Sequence, residues 1–375
     1  MQTFAKAAKA YAAEKGIKAD QTAAATSTTV KFEGLTLGYY LVDSTLGTLC
    51  SLDTTNTDVV IKEKNAEPAN TKTVEEDSTP GTYGEKNDAD IGQTVNFKST
   101  ITAQAGAENY VFHDKMSVGL TFGSVTGITL NGNTVDAENY TVITDKAAIT
   151  DDCTFEVKFT QKFCDTLKKE DKIVISYTAT LNENAVIGGD GNPNESKISY
   201  GDSNNIKTTP GSTTTTYTWS FGVFKYTVSN NSQKALAGAK FTLSKNSDGS
   251  NPINLISKGG NVYRVAKAGE ENTITVITTD ATGKFTIEGL DSDIYYLTET
   301  EAPAGYNKLA APIEVKVENG TIAANKTVNV ENKTGTELPS TGGIGTTIFY
   351  VLGGILAVGA AVLLATKKRM DKSEG

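Results

Sequence analysis

An uncharged apolar run near the C-terminus is the feature that most limits how this chain can fold. Residues 344–366 contain no charged side chain, and about 20 apolar residues in a helix span the core of a bilayer. Four basic residues follow within residues 367–375, and basic residues beside a membrane helix remain on the cytoplasmic side. The run therefore predicts a transmembrane helix with a cytoplasmic tail, which places the rest of the chain outside the cell.

A six-residue motif, residues 338–343, stands directly before this run. It consists of Leu338, Pro339, Ser340, Thr341, Gly342 and Gly343. The order of motif, apolar span and basic tail resembles the LPXTG sorting signal of Gram-positive bacteria. The resemblance implies that a sortase cleaves the Thr341–Gly342 bond and transfers Thr341 to an amine of peptidoglycan or of a neighbouring subunit. It also implies that the chain contacts the membrane only before sorting.

Composition points to a β-rich protein and away from several function classes. The chain has 375 residues, enough for two or three domains, and its many Thr, Asn and Gly residues favour strands joined by turns. The net charge of −9 and the lack of basic stripes with interleaved aromatics argue against nucleic acid as a partner. The three cysteines and one histidine show no metal-ligand spacing, so no metal and no cofactor are expected. We expect Cys153 and Cys164 to be buried thiols, with a disulfide between them as the alternative.

Turn and linker signals divide the chain into blocks. Asn131-Gly132 predicts a hairpin, residues 160–169 a short helix, and the threonine run near residue 213 a polar linker. The predicted divisions are residues 1–64, the remainder of an N-terminal domain; residues 65–209, a first β-sandwich; residues 210–216, the linker; and residues 217–334, a second β-sandwich.

The beginning of the chain predicts an amphipathic helix. Phe4, Ala7, Ala8, Tyr11 and Ala12 follow helical spacing, and a glycine four residues later ends the pattern. The first residues lack the charged and apolar regions of a signal peptide. We therefore expect the sequence to be incomplete, with its signal peptide and first strands missing.

Three polar residues in the second sandwich continue the apolar faces of strands. Side chains alternate between faces along a strand. On this basis Lys225 follows residues 219–223, Glu299 follows residues 295–297, and Asn332 follows residues 328–330. Burial favours the uncharged forms of lysine and glutamate. A neutral Lys225 amine is a nucleophile, and a protonated Glu299 can polarise the Asn332 carbonyl, so that an isopeptide bond forms and ammonia leaves. On the alternation alone, a buried ion pair or partly exposed residues at strand ends would be the favoured interpretation.

Longer motifs in this block resemble a known domain family. Residues 236–243, 296–306 and 328–332 are similar to Cna protein B-type domains, and residues 296–306 resemble the E-box of pilins. The resemblance implies that Lys225 and Asn332 form the isopeptide bond and that Glu299 catalyses it.

The first sandwich resembles fimbrial isopeptide-forming domains through residues 72–74, 84–92 and 110–114. This resemblance implies that Lys72 is the nucleophile and Asp114 the catalytic acid. Its acyl partner is either Asp202 or Asn204, which both continue the face of Ile198 and Tyr200; the two remain equal alternatives. His113, the neighbour of Asp114, is expected to lie on the solvent-facing side of its strand.

A lysine before the first sandwich is a candidate acceptor for polymerisation. Shaft pilins carry a YPK-type motif at this place, and Lys64 aligns with its lysine, although Lys62-Glu63 replaces Tyr-Pro. A solvated linker lysine is the alternative.

Taken with its motifs, the chain resembles Gram-positive, sortase-assembled, LPXTG-anchored pilins of the Spa type. The implied fold is all-β, with tandem immunoglobulin-like (Cna-type) β-sandwiches and a C-terminal transmembrane sorting helix. The implied function is that of a structural subunit of a covalent pilus on the cell wall, which serves attachment and is not an enzyme. Its implied partners are a sortase, other pilin subunits, peptidoglycan and a ligand on a host surface. The alternatives are a basal or minor pilin, a monomeric wall-anchored adhesin, or a surface enzyme with a catalytic domain upstream.

Overall fold

The structure, a computed structural model, describes residues 2–23, 30–42, 48–52, 54–55, 57–61, 67–149, 151–201 and 206–335. No helix within these ranges is long and apolar enough to span a membrane. The predicted membrane helix, the motif at residues 338–343 and the candidate residues Lys64, Asp202 and Asn204 lie outside the described residues.

The N-terminal part contains the predicted helix and a two-stranded sheet. Helix α1 (Gln2–Glu14) ends just before Gly16, which has a φ of 61°. Strands β1 (Gly38–Val42) and β2 (Thr48–Leu52) pair antiparallel. The helix face differs from the prediction, because Phe4 and Tyr11 are exposed while Ala5 is buried. The small side chain of alanine suits a close approach of the helix to its neighbours.

The first sandwich is built mainly from antiparallel strands. They are β3 (Ala69–Glu75), β4 (Tyr83–Gly84), β5 (Lys86–Asp88), β6 (Thr94–Thr102), β7 (Val111–Met116), β8 (Leu120–Leu130), β9 (Asn133–Thr134), β10 (Tyr140–Ile143), β11 (Phe155–Phe159), β12 (Lys172–Leu181), β13 (Asn192–Tyr200), β14 (Lys207–Thr208) and β15 (Ser212–Tyr217). One sheet has the order β4-β3-β6-β12-β8-β9, and the facing sheet has the order β10-β11-β7-β13-β15-β5, with β14 beside β13. A 3-10 turn (Ala137–Asn139) and helix α2 (Gln161–Cys164) lie in the connections.

Aromatic side chains fill the space between these two sheets. Tyr177 of β12 stacks on Phe97 of β6 with ring centroids 5.4 Å apart, and it meets Phe155 of β11 edge-on at 5.1 Å. All three rings are buried, and alternate residues of the strands supply them. The core of the first sandwich is therefore continuous across both sheets.

Local signals in this sandwich are confirmed except at its last strand. Asn131 and Gly132 have positive φ values of 51° and 86° and join β8 to β9, as a two-residue hairpin requires. Thr160 caps helix α2, which is shorter than predicted. The predicted linker at residues 210–216 is wrong for most of its length, because β15 pairs with β13 and β5. Threonine is β-branched and suits a strand as well as a polar connection.

The second sandwich follows β15 directly. Its strands are β16 (Trp219–Ser229), β17 (Ser232–Ala235), β18 (Lys240–Ser244), β19 (Leu255–Gly259), β20 (Val262–Val265), β21 (Ile277–Thr278), β22 (Lys284–Leu290), β23 (Ile294–Glu301), β24 (Ile313–Lys316) and β25 (Thr327–Glu331). One sheet has the order β17-β16-β22-β20-β19, with β25 parallel to β16, and the other has the order β21-β18-β23-β24. Phe221, Phe241 and Phe285 lie in the core between them.

Hydrogen bonds and side-chain packing join the two sandwiches. Trp219 Nε1 donates to Asp88 Oδ2 at 2.7 Å, and the Tyr295 hydroxyl donates to Asp90 Oδ1 at 3.0 Å. The backbone of Ile91 donates to Gly289 at 2.9 Å. A Cβ on Gly289 would lie 2.6 Å from Ile91, so the close approach requires glycine.

Asp291 is the buried carboxyl group of this junction. Burial raises its pKa to about 9, and Asp77, Asp88 and Asp90 add to the effect through their negative charge. Asp291 is 5% exposed. At neutral pH the side chain therefore keeps its proton, which it can donate to Asp88.

The junction predicts an unusual dependence of stability on pH. An unfolded aspartate has a pKa of about 3.9, so the folded state holds an extra proton on Asp291 between about pH 4 and pH 9. The contribution of this group is fully present below the unfolded pKa and is lost as the pH rises through the folded pKa. Asp291→Asn should remove this loss and make the protein more stable than wild type at pH 8. Urea unfolding across this range measures it.

The control for this experiment is Asp248→Asn. Backbone and side-chain hydrogen bonds from Ser250 lower the pKa of this exposed residue, so it stays ionised in both states over the same range. Equal pH slopes for wild type and Asp291→Asn would contradict a protonated Asp291.

Candidate functional site

Strand pairing brings three predicted residues of the second sandwich together. Lys225 lies in β16 opposite Val330 of the parallel strand β25, and Asn332 follows the end of β25. Glu299 lies in β23 of the facing sheet. The lysine and the asparagine therefore come from neighbouring strands, and the glutamate reaches them across the core.

The three side chains form a dry cluster. Lys225 is 0% exposed, and Glu299 and Asn332 are each 1% exposed. Lys225 Nζ is 3.2 Å from Glu299 Oε1, and Asn332 Nδ2 donates to Glu299 Oε2 at 3.0 Å. The backbone N–H of Leu309 also donates to Glu299 Oε2, at 2.8 Å. Glu299 is thus the centre of the cluster, with one oxygen toward the lysine and the other toward the amide.

Three polar atoms of this cluster have no hydrogen-bond partner among the described residues. They are Lys225 Nζ, Glu299 Oε1 and Asn332 Oδ1. The contact between Lys225 and Glu299 is close enough for an ion pair, but its angles are not those of a hydrogen bond. Burial lowers the pKa of Lys225, and the negative charge of Glu299 opposes this. The site therefore favours a neutral amine over a well-bonded ammonium ion.

The first sandwich contains its own cluster of the same kind, which is the first cluster in chain order. Lys72 of β3 contacts Asp114 Oδ2 of β7 in the facing sheet. The Tyr177 hydroxyl donates to the same oxygen at 2.6 Å. Lys72 and Tyr177 are each 1% exposed and Asp114 is 0% exposed. The sequence predicted that Lys72 and Asp114 lie together. It did not predict that Tyr177 of β12 belongs to the same cluster.

Asn194 is the amide of this cluster, and the sequence analysis missed it. It lies in β13, next to the strand of Asp114, and is fully buried. Its Nδ2 donates to the Tyr177 hydroxyl at 3.4 Å. The signal was present in the alternation, because Asn194 and Ser196 precede Ile198 on the same buried face. The family motif points instead to Asp202 and Asn204, at the other end of this face, which lie outside the described residues.

Burial acts on both ionisable partners of the first cluster. Burial lowers the pKa of Lys72, and burial raises the pKa of Asp114, an effect that Lys72, Tyr177 and Asn194 partly offset. Asp114 Oδ1 and Asn194 Oδ1 have no hydrogen-bond partner in the described part of the chain. A proton on Asp114 Oδ1 would supply a donor to this region. A neutral amine, a carboxylic acid and a primary amide are the reactants needed for acyl transfer to lysine.

His113 lies on the opposite face of β7 from Asp114, as predicted, but it is not a surface residue. Its side chain is 12% exposed and contacts Asp151 and Glu156. The segment that precedes β11 covers this face, a tertiary contact that strand alternation cannot predict. Cys153 and Cys164 are buried, and the described residues contain no disulfide bond.

Three family models match the sequence. Residues 91–206 match the Gram-positive pilin backbone subunit 2, Cna-B-like domain. Residues 223–334 match the prealbumin-like fold domain described as SpaA. Residues 330–372 match the LPXTG cell wall anchor motif. The comparison with curated protein sequences gives no match.

Solved structures with the same fold include several pilins. The 35 kDa C-terminal fragment of the major pilin GBS80 of Streptococcus agalactiae has a TM-score of 0.53 at 21% identity, over 72% of this chain and 100% of the fragment. The full-length major pilin RrgB of Streptococcus pneumoniae has a TM-score of 0.52 at 15% identity, over 78% of this chain and 79% of that chain. BcpA, the major pilin subunit of Bacillus cereus, has a TM-score of 0.51 at 18% identity, over 80% of this chain and 82% of that chain. The all-β fold of tandem sandwiches is thus confirmed.

The burial of Glu299 predicts a large effect of its removal on stability. Glu299→Ala removes the acceptor of the hydrogen bonds from Asn332 and Leu309 in a dry core, and leaving these donors unsatisfied should cost at least about 2 kcal/mol of unfolding free energy. Glu301→Ala is the matched control on the same strand. Glu301 pairs with Lys240 at 2.6 Å on the surface, and exposed pairs contribute about 1 kcal/mol or less. Denaturant unfolding that gave equal losses for the two variants would contradict the structural role assigned to Glu299.

Proposed function

We propose that this chain, a Gram-positive pilin with an LPXTG cell wall anchor, forms the shaft of a covalently polymerised surface pilus. The observation that supports this most is the order of the matches, with a pilin backbone domain at residues 91–206 and the wall anchor at residues 330–372 of one chain. The protein is structural and not an enzyme, and it is a substrate of a sortase. Its place is the cell wall, with peptidoglycan and other pilin subunits as covalent partners.

Polymerisation requires one bond to break and one to form at the sorting motif. The sortase thiolate attacks the carbonyl carbon of Thr341, and the amine of Gly342 leaves with the membrane helix. The amine of Lys64 in a neighbouring subunit then attacks the thioester, so that an isopeptide bond forms and the sortase thiol is released. The replacement of Tyr-Pro by Lys62-Glu63 in the acceptor motif favours a second candidate, a basal or minor pilin or a monomeric wall-anchored adhesin.

The cluster of the second sandwich is suited to an internal isopeptide bond. The lone pair of neutral Lys225 attacks Asn332 Cγ, with the Glu299 carboxyl group in contact with both the amine and the amide nitrogen. A proton then passes from Nζ through the Glu299 carboxyl group to the departing nitrogen, and ammonia leaves. The 3.0 Å contact between Glu299 and the Asn332 amide supports this transfer path. Each domain performs the reaction once.

The corresponding reaction in the first sandwich joins Lys72 to an acyl partner under catalysis by Asp114. Asn194 is the candidate that the geometry favours, since its amide lies beside Tyr177 and Asp114. Asp202 and Asn204 remain the candidates that the sequence motif implies. Asp202 would lose water, whereas either asparagine would lose ammonia.

Internal bonds of this kind would suit a fibre under load. Lys225 lies in the first strand of the second sandwich, and Asn332 directly follows its last strand. A cross-link that closes a loop of about 100 residues also reduces the entropy of the unfolded chain, and by analogy with disulfides it contributes several kcal/mol of stability. The shaft would carry the organism's attachment to a host surface.

Intact mass spectrometry tests the internal bonds. The folded wild-type chain should be lighter than its sequence mass by two molecules of ammonia if Asn194 and Asn332 are the acyl partners. Glu299→Ala and Asp114→Ala should each restore one loss, because the buried lysine then lacks its proton-transfer group. Peptide mapping should find Lys72 joined to Asn194 and Lys225 joined to Asn332.

Two outcomes of this experiment would contradict specific parts of the proposal. A Lys72 peptide joined to residue 202 or 204 would overturn the assignment of Asn194 and leave the bond itself in place. Lys72 and Lys225 recovered in unlinked peptides would remove the internal bonds altogether. The wall anchor does not depend on either result.

The shaft role is tested by substitution of the acceptor lysine. Lys64→Ala should abolish the ladder of high-mass polymers in cell-wall extracts, because the sortase intermediate then has no amine acceptor on the next subunit. Lys62→Ala in the same motif is the control and should leave the ladder intact. A ladder that persists in Lys64→Ala would support the basal, minor or monomeric alternative.

A further inference from the structure

A separate group of metal-binding side-chain types lies on the outer face of the first sandwich, away from Lys72 and Asp114. His113 of β7 and Glu156 of β11 are direct register partners across neighbouring strands. The segment before β11 places Asp151 and Cys153 over the same face. Three different donor chemistries, imidazole, carboxylate and thiol, therefore meet at one point.

The distances within this cluster are those of ligands around one ion. His113 Nδ1 is 3.1 Å from Asp151 Oδ2 and 3.0 Å from Glu156 Oε1. The donor atoms of His113, Asp151 and Cys153 all lie within 4.8 Å of one another. Around a tetrahedral ion with metal–ligand bonds of about 2.0 to 2.3 Å, donor atoms stand about 3.3 to 3.8 Å apart.

Two of these donor atoms have no hydrogen-bond partner within the described ranges. Glu156 is 7% exposed, and its Oε1 faces His113 Nδ1 without a hydrogen bond; Nδ1 is likewise unsatisfied. A buried carboxylate oxygen without a donor is costly. A cation between these atoms would satisfy both of them.

The surroundings orient His113 for such a role. Its Nε2 is 2.8 Å from Ser199 Oγ. With Nε2 as the donor in this contact, the lone pair of the ring lies on Nδ1, the nitrogen that faces the two carboxylates. Metal-binding histidines commonly have their second nitrogen held by a hydrogen bond in this way.

We propose that His113, Asp151, Cys153 and Glu156 form a zinc site. Thiolate and imidazole donors select Zn²⁺ over Ca²⁺ and Mg²⁺, which prefer oxygen ligands alone. Lys197 Nζ is 3.4 Å from Asp151 Oδ2, but this side chain is 36% exposed and can move into solvent when the ion binds. A cleft lined by His113, Cys153 and Lys197 adjoins the donors and provides a path of entry.

The bound ion would link the segment before β11 to β7, the strand that carries Asp114. His113 and Asp114 are adjacent in β7, so an ion on one face holds the backbone that presents the carboxyl group on the other. An ion that binds only to the folded state raises the unfolding temperature. We expect a rise of about 5 °C or more with saturating Zn²⁺.

Metal titration of the purified full chain, after treatment with a chelator, tests the site. Zn²⁺ should bind with a stoichiometry of one per chain in isothermal titration calorimetry. Co²⁺ in its place should give the visible bands of tetrahedral coordination and a near-ultraviolet thiolate-to-cobalt band. Cys153→Ser should remove the near-ultraviolet band and weaken Zn²⁺ binding at least about tenfold.

The matched control is Cys50→Ser, which changes the cysteine of the N-terminal β2 strand and should keep both the band and the affinity. His113→Gln is a second variant at the site, and circular dichroism shows whether each variant is folded. The proposal is overturned if the wild-type chain binds no stoichiometric Zn²⁺, or if folded Cys153→Ser keeps the cobalt band. Retention of full affinity in folded His113→Gln would overturn it equally. None of these measurements depends on polymerisation or on the internal bonds.

Discussion

The exclusion of water from the space between paired sheets is the constraint on which both clusters depend. Lys72 and Lys225 are among the largest fully buried side chains, with the rings of Phe97 and Tyr177 beside the first and that of Phe241 beside the second. In such a medium an ammonium ion is unfavourable unless it is fully bonded. The sandwiches provide a carboxyl group and an amide for each lysine. The same packing that stabilises the fold therefore favours the neutral form of the amine.

Strand alternation explains how much of this arrangement the sequence could predict. Lys225, Glu299 and Asn332 each follow an apolar face with a period of two, and the structure brings them together. Asn194 obeys the same rule, upstream of Ile198 on the buried face of β13. Tyr177 was not predictable as a partner of Asp114, because an aromatic residue on a buried strand face gives no sign that its hydroxyl meets a carboxylate.

Long-range packing accounts for the remaining differences between expectation and structure. Whether the threonines of β15 form a strand depends on the open edge of β13 and on β5, which is distant in sequence. The covering of His113 depends on a connection whose path has no periodic signal. In both cases the period-two pattern identifies the two faces of a strand. It does not identify which segment packs against the strand edge or its outer face.

The parallel pairing of β16 with β25 has a mechanical consequence. A pull on the chain enters the second sandwich at Trp219 and leaves beyond Asn332. With the proposed bond between Lys225 and Asn332 in place, the force would cross only the first part of β16 before it reached the exit. The intervening strands would then form a side loop that carries no load, so this sandwich would behave as an inextensible link. Extension of a fibre built from such domains would then have to come from the junctions between them, where Trp219, Asp88 and Asp291 lie together.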